Sequence, residues 1–261
     1  NGFTNQLPYA KKEGEVAEDI LKNTGYPITS VIHEDAASVV RNFFSNDYKI
    51  IHLAGHGAFN AKSPKKSGMV IGKDVFLTVF DIQQMPVVPE LVFVNCCHLG
   101  KVSSMDEKFY QDRYKLAANI GTELIKIGVK AVIAAGWAVD DEAALAFARI
   151  FYASMFAGYT FGDAVKDARN FIYAKYPNSN TWGAYQCYGD PFFKLRNVSH
   201  GIKTWSPSYI VPEEAEIDLD NLFNELQMGE KNIVDNLNEL KIITRAIEKA
   251  QNTVEQKNAE V

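Results

Sequence analysis

Cysteine is scarce in this chain, with three in 261 residues, and two of the three are adjacent. So few, so placed, make a poor disulfide framework, and a reducing cytoplasmic setting is the expectation. No run of eighteen apolar residues is present to span a membrane, and no secretory apolar segment opens the chain. An excess of positive charge is also missing: the formal net charge is −5, which implies no general affinity for nucleic acid. Internal repeats and low-complexity tracts are absent. The chain starts at Asn1 instead of Met, so it is expected to be a processed or excised piece of something longer.

What is present is a hydrophobic content of 47%, enough for one large or two small globular units. The charge is unevenly spread. After Pro212 twelve acidic residues face five basic ones, so this tail carries −7 and the remainder +2. Short apolar runs alternate with helical patterns over the first 196 residues. Helices are expected at 11–23, 35–44 with Asp35 as N-cap, 114–127, 141–157 and 161–175. Strands are expected at 28–32, 48–54, 89–97, 129–136 and 183–188, with a long polar loop between the second and third. Continuous β-rich runs separated by helices predict an α/β domain with a mostly parallel sheet covered on both faces.

From residue 197 the pattern changes to a Ser/Pro-containing linker, 197–212, and then to an acidic helical extension, 213–261. There Leu219, Leu222, Phe223 and Leu226 suggest a short helix, and Gly229 separates it from a longer one. Ile233, Leu237, Leu240, Ile243 and Ile247 recur at spacings of three and four, one stripe on a helix. The stripe suits packing on the parent domain or docking of a partner; its acidic polar face argues against a membrane surface.

Ligands of open parallel sheets sit outside the carboxyl ends of the strands. Three apolar runs end in chemically capable residues: "IIHLA" at Gly55-His56-Gly57, "LVFVNC" at Cys97, and "KAVIAAG" at Trp137 followed by Asp140-Asp141. If these strands are parallel, the three ends share one edge. Cys96 then closes its strand as a core residue, and Cys97 lies one step further, over the rim beside His56. A thiol near neutral pH needs modest help to attack a carbonyl, an imidazole can protonate the leaving amine, and a backbone N–H such as that of Gly57 can face the oxyanion.

Blander readings compete for each residue. Cys187 in an aromatic strand and His52 inside a strand suit the interior, His52 with an orienting role in reserve. His98 is a loop residue near the groove, and Lys62, Lys65 and Lys66 form a solvated loop face. A zinc site from His52, His56, Cys97 and His98 lacks ligand spacing such as C-x-x-C, so no metal and no cofactor is expected. Helix capping accounts for at least one of Asp140 and Asp141.

Five ordered segments carry a family resemblance. "IIHLAGHGAFNAKSPKKSGMVI" is similar to the histidine segment of CHAT domains, with a strand, H-x-x-x-H-G-x-F and a small-polar loop. "LVFVNCCHLG" resembles their L-V-x-L-S-A-C-E-T segment, and "AVIAAGWAVDDEAALAFARIFYASMFAG" their S-L-W-x-V-x-D segment and helix. "GDAVKDAR" and "WGAYQCYGDP" resemble the closing helix and last strand. The resemblance runs from about Leu7 to Gly189. It implies a caspase- and separase-like fold with His56 and Cys97 as the dyad of a cysteine endopeptidase, or the same fold kept as an inactive regulatory scaffold. It further implies a protein substrate and an attached or partner activating or sensor module, of TPR type in many such proteins.

Three departures stand out: His98-Leu99 in place of Glu-Thr, Ala135-Gly136 in place of Ser-Leu, and a charged segment at 101–115 in place of a Gly-rich loop. The family's first strand is either missing or begins before Asn1, so an upstream region is expected. The stretch "WAVDDE" resembles that of separases, which cleave after arginine. With Trp137, Asp141 and Asp140 beside the rim, a basic residue before the cut bond is expected, and Asp141 is the first choice for its partner.

Overall fold

The computed structural model describes residues 8–22, 27–32, 34–58, 68–73, 75–85, 87–96, 113–195, 207, 209, 212–228 and 233–259. Two compact units emerge: residues 1–85 with 89–199, and residues 86–88 with 200–261.

The first unit is built on a four-stranded sheet. Its strands are β1 (Ile50–Ala54), β5 (Leu91–Asn95), β6 (Ala131–Ala135) and β7 (Tyr185–Gly189), in the spatial order β1-β5-β6-β7. Every residue of β5 and β6 is buried, which fits the continuous apolar runs LVFVN and AVIAA and marks them as central strands. The pairs β1–β5 and β5–β6 are parallel, with Ala54 opposite Asn95 and Val94 opposite Ala134. The last strand, β7, runs antiparallel to β6, so the sheet is mixed.

Side-chain alternation separates the two faces of this sheet. Leu91, Phe93, Ala131 and Ile133 meet α1 (Pro8–Lys22), α5 (Asp141–Phe156) and α6 (Phe161–Lys175), which contribute Ala17, Phe147, Phe151, Tyr152, Met155, Ala164, Ala168 and Ile172. Phe93 is the centre of this layer, with ring centroids of Tyr185, Phe151 and Tyr152 at 5.5, 5.9 and 5.9 Å. On the other face α4 (Arg113–Lys126) packs against β6 and β7. A helix on each face completes the mostly parallel α/β architecture expected for a caspase-like domain.

Local chemistry explains the helix ends. α2 (Ala36–Phe43) starts where Asp35 accepts the Ser38 N–H at 2.9 Å, and α6 starts where Thr160 accepts that of Asp163 at 3.2 Å. Gly189 closes β7 at φ +109°, and a Cβ there would strike the Lys130 carbonyl, so glycine is required twice over.

Three expectations need correction. Residues 28–32 form no strand; they pair with no ladder despite the β-branched composition. The stretch read as one long polar loop holds a second sheet, β2 (Gly57–Ala58), β3 (Gly68–Gly72) and β4 (Val75–Thr78), joined by antiparallel pairing, and a short helix α3 (Val79–Gln83). The aromatic strand at 183–188 begins later, because Thr181–Ala184 form the one-turn helix α7.

In the second unit α8 (Pro212–Met228) and α9 (Ile233–Ala259) pack through Ala215, Leu222, Ile243 and Ala246, with Tyr209 beside them. Tyr209 donates to Asp218 at 2.9 Å. The apolar stripe of α9 divides: Ile243 is buried and Ile247 packs on the same cluster, whereas Ile233, Leu237 and Leu240 are exposed. Gly229 lies outside the described residues. Among those described, no helix is long and apolar enough to cross a membrane.

Candidate active site at the carboxyl edge of the sheet

Because β1, β5 and β6 are parallel, their carboxyl ends lie along one edge. The link between the first two continues past the ladder, with the Gly55 N–H donating to the Asn95 carbonyl at 3.1 Å. His56 follows, half-buried, and its own carbonyl accepts the Val70 N–H at 2.8 Å. The backbone of His56 is thus held between the end of β1 and the small second sheet. Gly57 opposes Met69 in that sheet. The His56–Val70 bond makes this a non-hydrogen-bonded pair, so the Gly57 N–H is directed away from β3.

On β5, Asn95 is the last strand residue, and Cys96 beyond it is 5% exposed, a core thiol as expected. Cys97, His98 and residues 101–112 lie outside the described residues, as do Lys62, Lys65 and Lys66. At the end of β6 the Gly136 N–H donates to the Ala184 carbonyl at 2.8 Å, and a Cβ on Gly136 would meet Gln186 Nε2 at 2.7 Å. The turn so formed leads to Trp137, 37% exposed, whose indole borders Gly183.

The two acids that follow have different duties in the helix. Asp140 is the N-cap of α5: its Oδ1 accepts the Ala143 N–H at 3.0 Å, while its own N–H donates to Thr181 Oγ1 at 2.8 Å. Asp141 is the first residue of the helix, half-buried, where a carboxylate also meets the positive end of the helix dipole.

Beneath this edge lies a polar network that sequence inspection passes over. Glu13 of α1 is 4% exposed, one helical turn from the core residue Ala17. One carboxylate oxygen accepts the Asn95 side-chain amide at 2.6 Å; the other lies 3.1 Å from His52 Nε2. His52 Nδ1 is 2.9 Å from the Tyr152 hydroxyl, and the imidazole stacks on Phe93 at 4.8 Å. Burial, and then the Glu13 charge, push the Tyr152 hydroxyl well above the usual tyrosine range, so it stays protonated. Proton placement follows by elimination. With Nε2–H donating to Glu13, Nδ1 is left to accept from the Tyr152 O–H. His52 is therefore the interior histidine expected. Glu13 gave no signal, being one acid among several in KKEGEVAEDI. Asn95 is the only polar residue in LVFVN, a hint of a buried partner.

Cys187 is a different kind of thiol. Burial raises it to about 11, and Arg169 donates to the neighbouring Tyr185 carbonyl at 2.7 Å. An open cavity of about 300 Å³ lies elsewhere on the unit, lined by Lys166, Arg169, Tyr173 and Trp182, and none of the edge residues named above borders it.

The model of the CHAT domain family matches residues 1–190. The chain belongs to the CHAT domain family. No curated protein matches it. CHAT domains are related to caspase-like peptidases, and the parallel edge carrying His56 and the segment that leads to Cys97 belongs to that fold.

Proposed function

We propose that this CHAT domain is a cysteine endopeptidase in which Cys97 is the nucleophile and His56 its acid–base partner. One observation carries the reading. The parallel register sets Ala54 opposite Asn95, and the same count of two residues separates each from its candidate group, His56 on one strand and Cys97 on the other. The Gly55–Asn95 bond holds the two strand ends together at that level.

The chemistry then runs in two steps. The thiolate of Cys97 adds to the scissile carbonyl, and the Gly57 N–H, which β3 does not use, donates to the oxyanion. The C–N bond breaks as the imidazolium of His56 gives its proton to the leaving amine. Water, deprotonated by the same imidazole, then hydrolyses the thioester and restores the thiol. Trp137 and Asp141 flank the entry, and a substrate side chain bearing a cation is the one they would favour before the cut bond. Asp140 contributes less to that preference, since its carboxylate already caps α5. The substrate is a protein, and the charged segment at 101–115, which follows the nucleophile, is where an activating or sensor module, attached or in trans, acts.

A cysteine-reactive peptide probe ending in arginine tests the reading. Labelling and cleavage lost in Cys97→Ala and His56→Ala, and kept in Cys96→Ala, are expected. A folded Cys96→Ala variant that is inactive would move the nucleophile and refute the register argument.

A further inference from the structure

The Glu13 network lies directly under the edge used above, and the chemistry proposed there makes no use of it. A carboxyl side chain only 4% exposed is costly to bury, and here Asn95 and His52 satisfy it. Its partners are not scattered. Asn95 is the last residue of β5, two before Cys97, and His52 is on β1, four before His56. The same Asn95 accepts the Gly55 N–H through its carbonyl, so its side chain reports to α1 while its backbone holds β1. One carboxylate therefore holds the last residue of β5 directly and the middle residue of β1 beside it.

We propose that Glu13 and His52 are positioning residues for the Cys97–His56 pair, with α1 as the element that sets where the two chains leave the sheet. The inference rests on the peptidase reading. Glu13 accepts from Asn95 and His52; Tyr152, held protonated by its burial, fixes the His52 tautomer that can donate. Loss of the carboxylate removes the bond that ties Asn95 to α1 and lets the Gly55–Asn95 bond open, so the spacing of nucleophile and imidazole is no longer held. A displacement of this kind under a reacting pair costs up to about a hundredfold in rate. Any partner that shifts α1 would act on the site through the two bonds of Glu13.

The test uses the full chain with Glu13→Leu, Glu13→Gln and Tyr152→Phe. Three readouts are taken: thermal unfolding, alkylation of Cys97 by iodoacetamide localised by mass spectrometry, and hydrogen exchange of the Gly55 amide. Glu13→Leu takes the carboxylate away from the buried Asn95 amide and His52 Nε2, so it is expected to unfold below the wild-type temperature while staying folded at about 25 °C. At the same time its His56-dependent alkylation slows about tenfold or more, and Gly55 exchanges about tenfold faster. Glu13→Gln, which keeps one acceptor, should fall between. If Glu13→Leu fails to fold, Tyr152→Phe decides, since it drops one hydroxyl and keeps the carboxylate. Slower alkylation with faster Gly55 exchange supports positioning, and wild-type values for both overturn it. Failure of the two ideas looks different. Wild-type behaviour of the Glu13 variants, in a chain whose alkylation needs His56, removes the positioning role and leaves the peptidase. Alkylation that ignores His56→Ala in the parent chain removes the dyad, and the positioning role with it.

Discussion

If Asp141 selects a cation as proposed, substitution of Asp140 should fall mainly on stability and substitution of Asp141 mainly on selectivity. Asp140→Ala removes the acceptor of the Ala143 N–H at the start of α5, a 16-residue helix whose inner face carries Phe147, Phe151 and Tyr152. N-cap losses of this kind cost about 1 kcal/mol, within a range of roughly 0.5–2. For a domain of this size that lowers the unfolding midpoint by about 2–4 °C. Asp140→Asn keeps an acceptor in place and should fall within a few tenths of wild type. Asp141→Ala costs a first-turn carboxylate, about 0.3–1 kcal/mol of dipole interaction. Its larger effect is on substrate choice. A charge-assisted contact to a bound arginine or lysine is worth about 1.5–3 kcal/mol, so preference over a neutral isostere should fall by roughly 10- to 150-fold. The assay is a peptide library varied at the residue before the cut bond, read as ratios of kcat/KM, beside thermal melts of the same proteins. Cleavage after acidic or apolar residues in the wild type would refute the pocket, as would unchanged selectivity in the Asp140→Ala, Asp141→Ala double variant.

Three further outcomes are expected. Cys96→Ala should lose about 1–2 kcal/mol in denaturant unfolding, the cost of trimming a small core side chain. Cys187, its thiol raised to about 11 by burial, should stay unmodified by iodoacetamide near neutral pH, and rapid labelling in the folded state would contradict that burial. Phe93→Ala should cost about 3–5 kcal/mol, because it empties the ring cluster shared with Tyr185, Phe151 and Tyr152; a loss under 1 kcal/mol would mean the layer repacks freely.

Periodicity and buried-run arguments served best where one element has one environment. The runs LVFVN and AVIAA have apolar neighbours on both faces, so their burial was legible from composition alone. The helix at 161–175 matches its expected bounds, since Thr160 caps it and the positive-φ Gly158 precedes it. The caps Asp35 and Asp140 were equally plain, because a side-chain acceptor three residues ahead of an N–H is a local event. What escaped depends on contacts between distant segments. The strands β2 and β4, of two and four residues, are too short for a period-two signal, and they exist through pairing with β3. The direction of β7 is set by the path around α7, which no local pattern encodes. Glu13 reads as a solvated acid until α1 is laid against β1 and β5.

The reversal of β7 has a practical consequence. Tyr185 pairs with Ala135 at the carboxyl edge, and Gly189 pairs with Ala131 at the opposite one, so the polypeptide runs the full length of β6 in a single strand. At about 3.3 Å per residue the four steps carry it some 13 Å away. A fluorophore or affinity handle attached just beyond β7 is therefore tethered at the edge opposite the one that carries His56. Such an attachment leaves the edge that carries His56 unobstructed, whereas an insertion at the turn after β6 would crowd it.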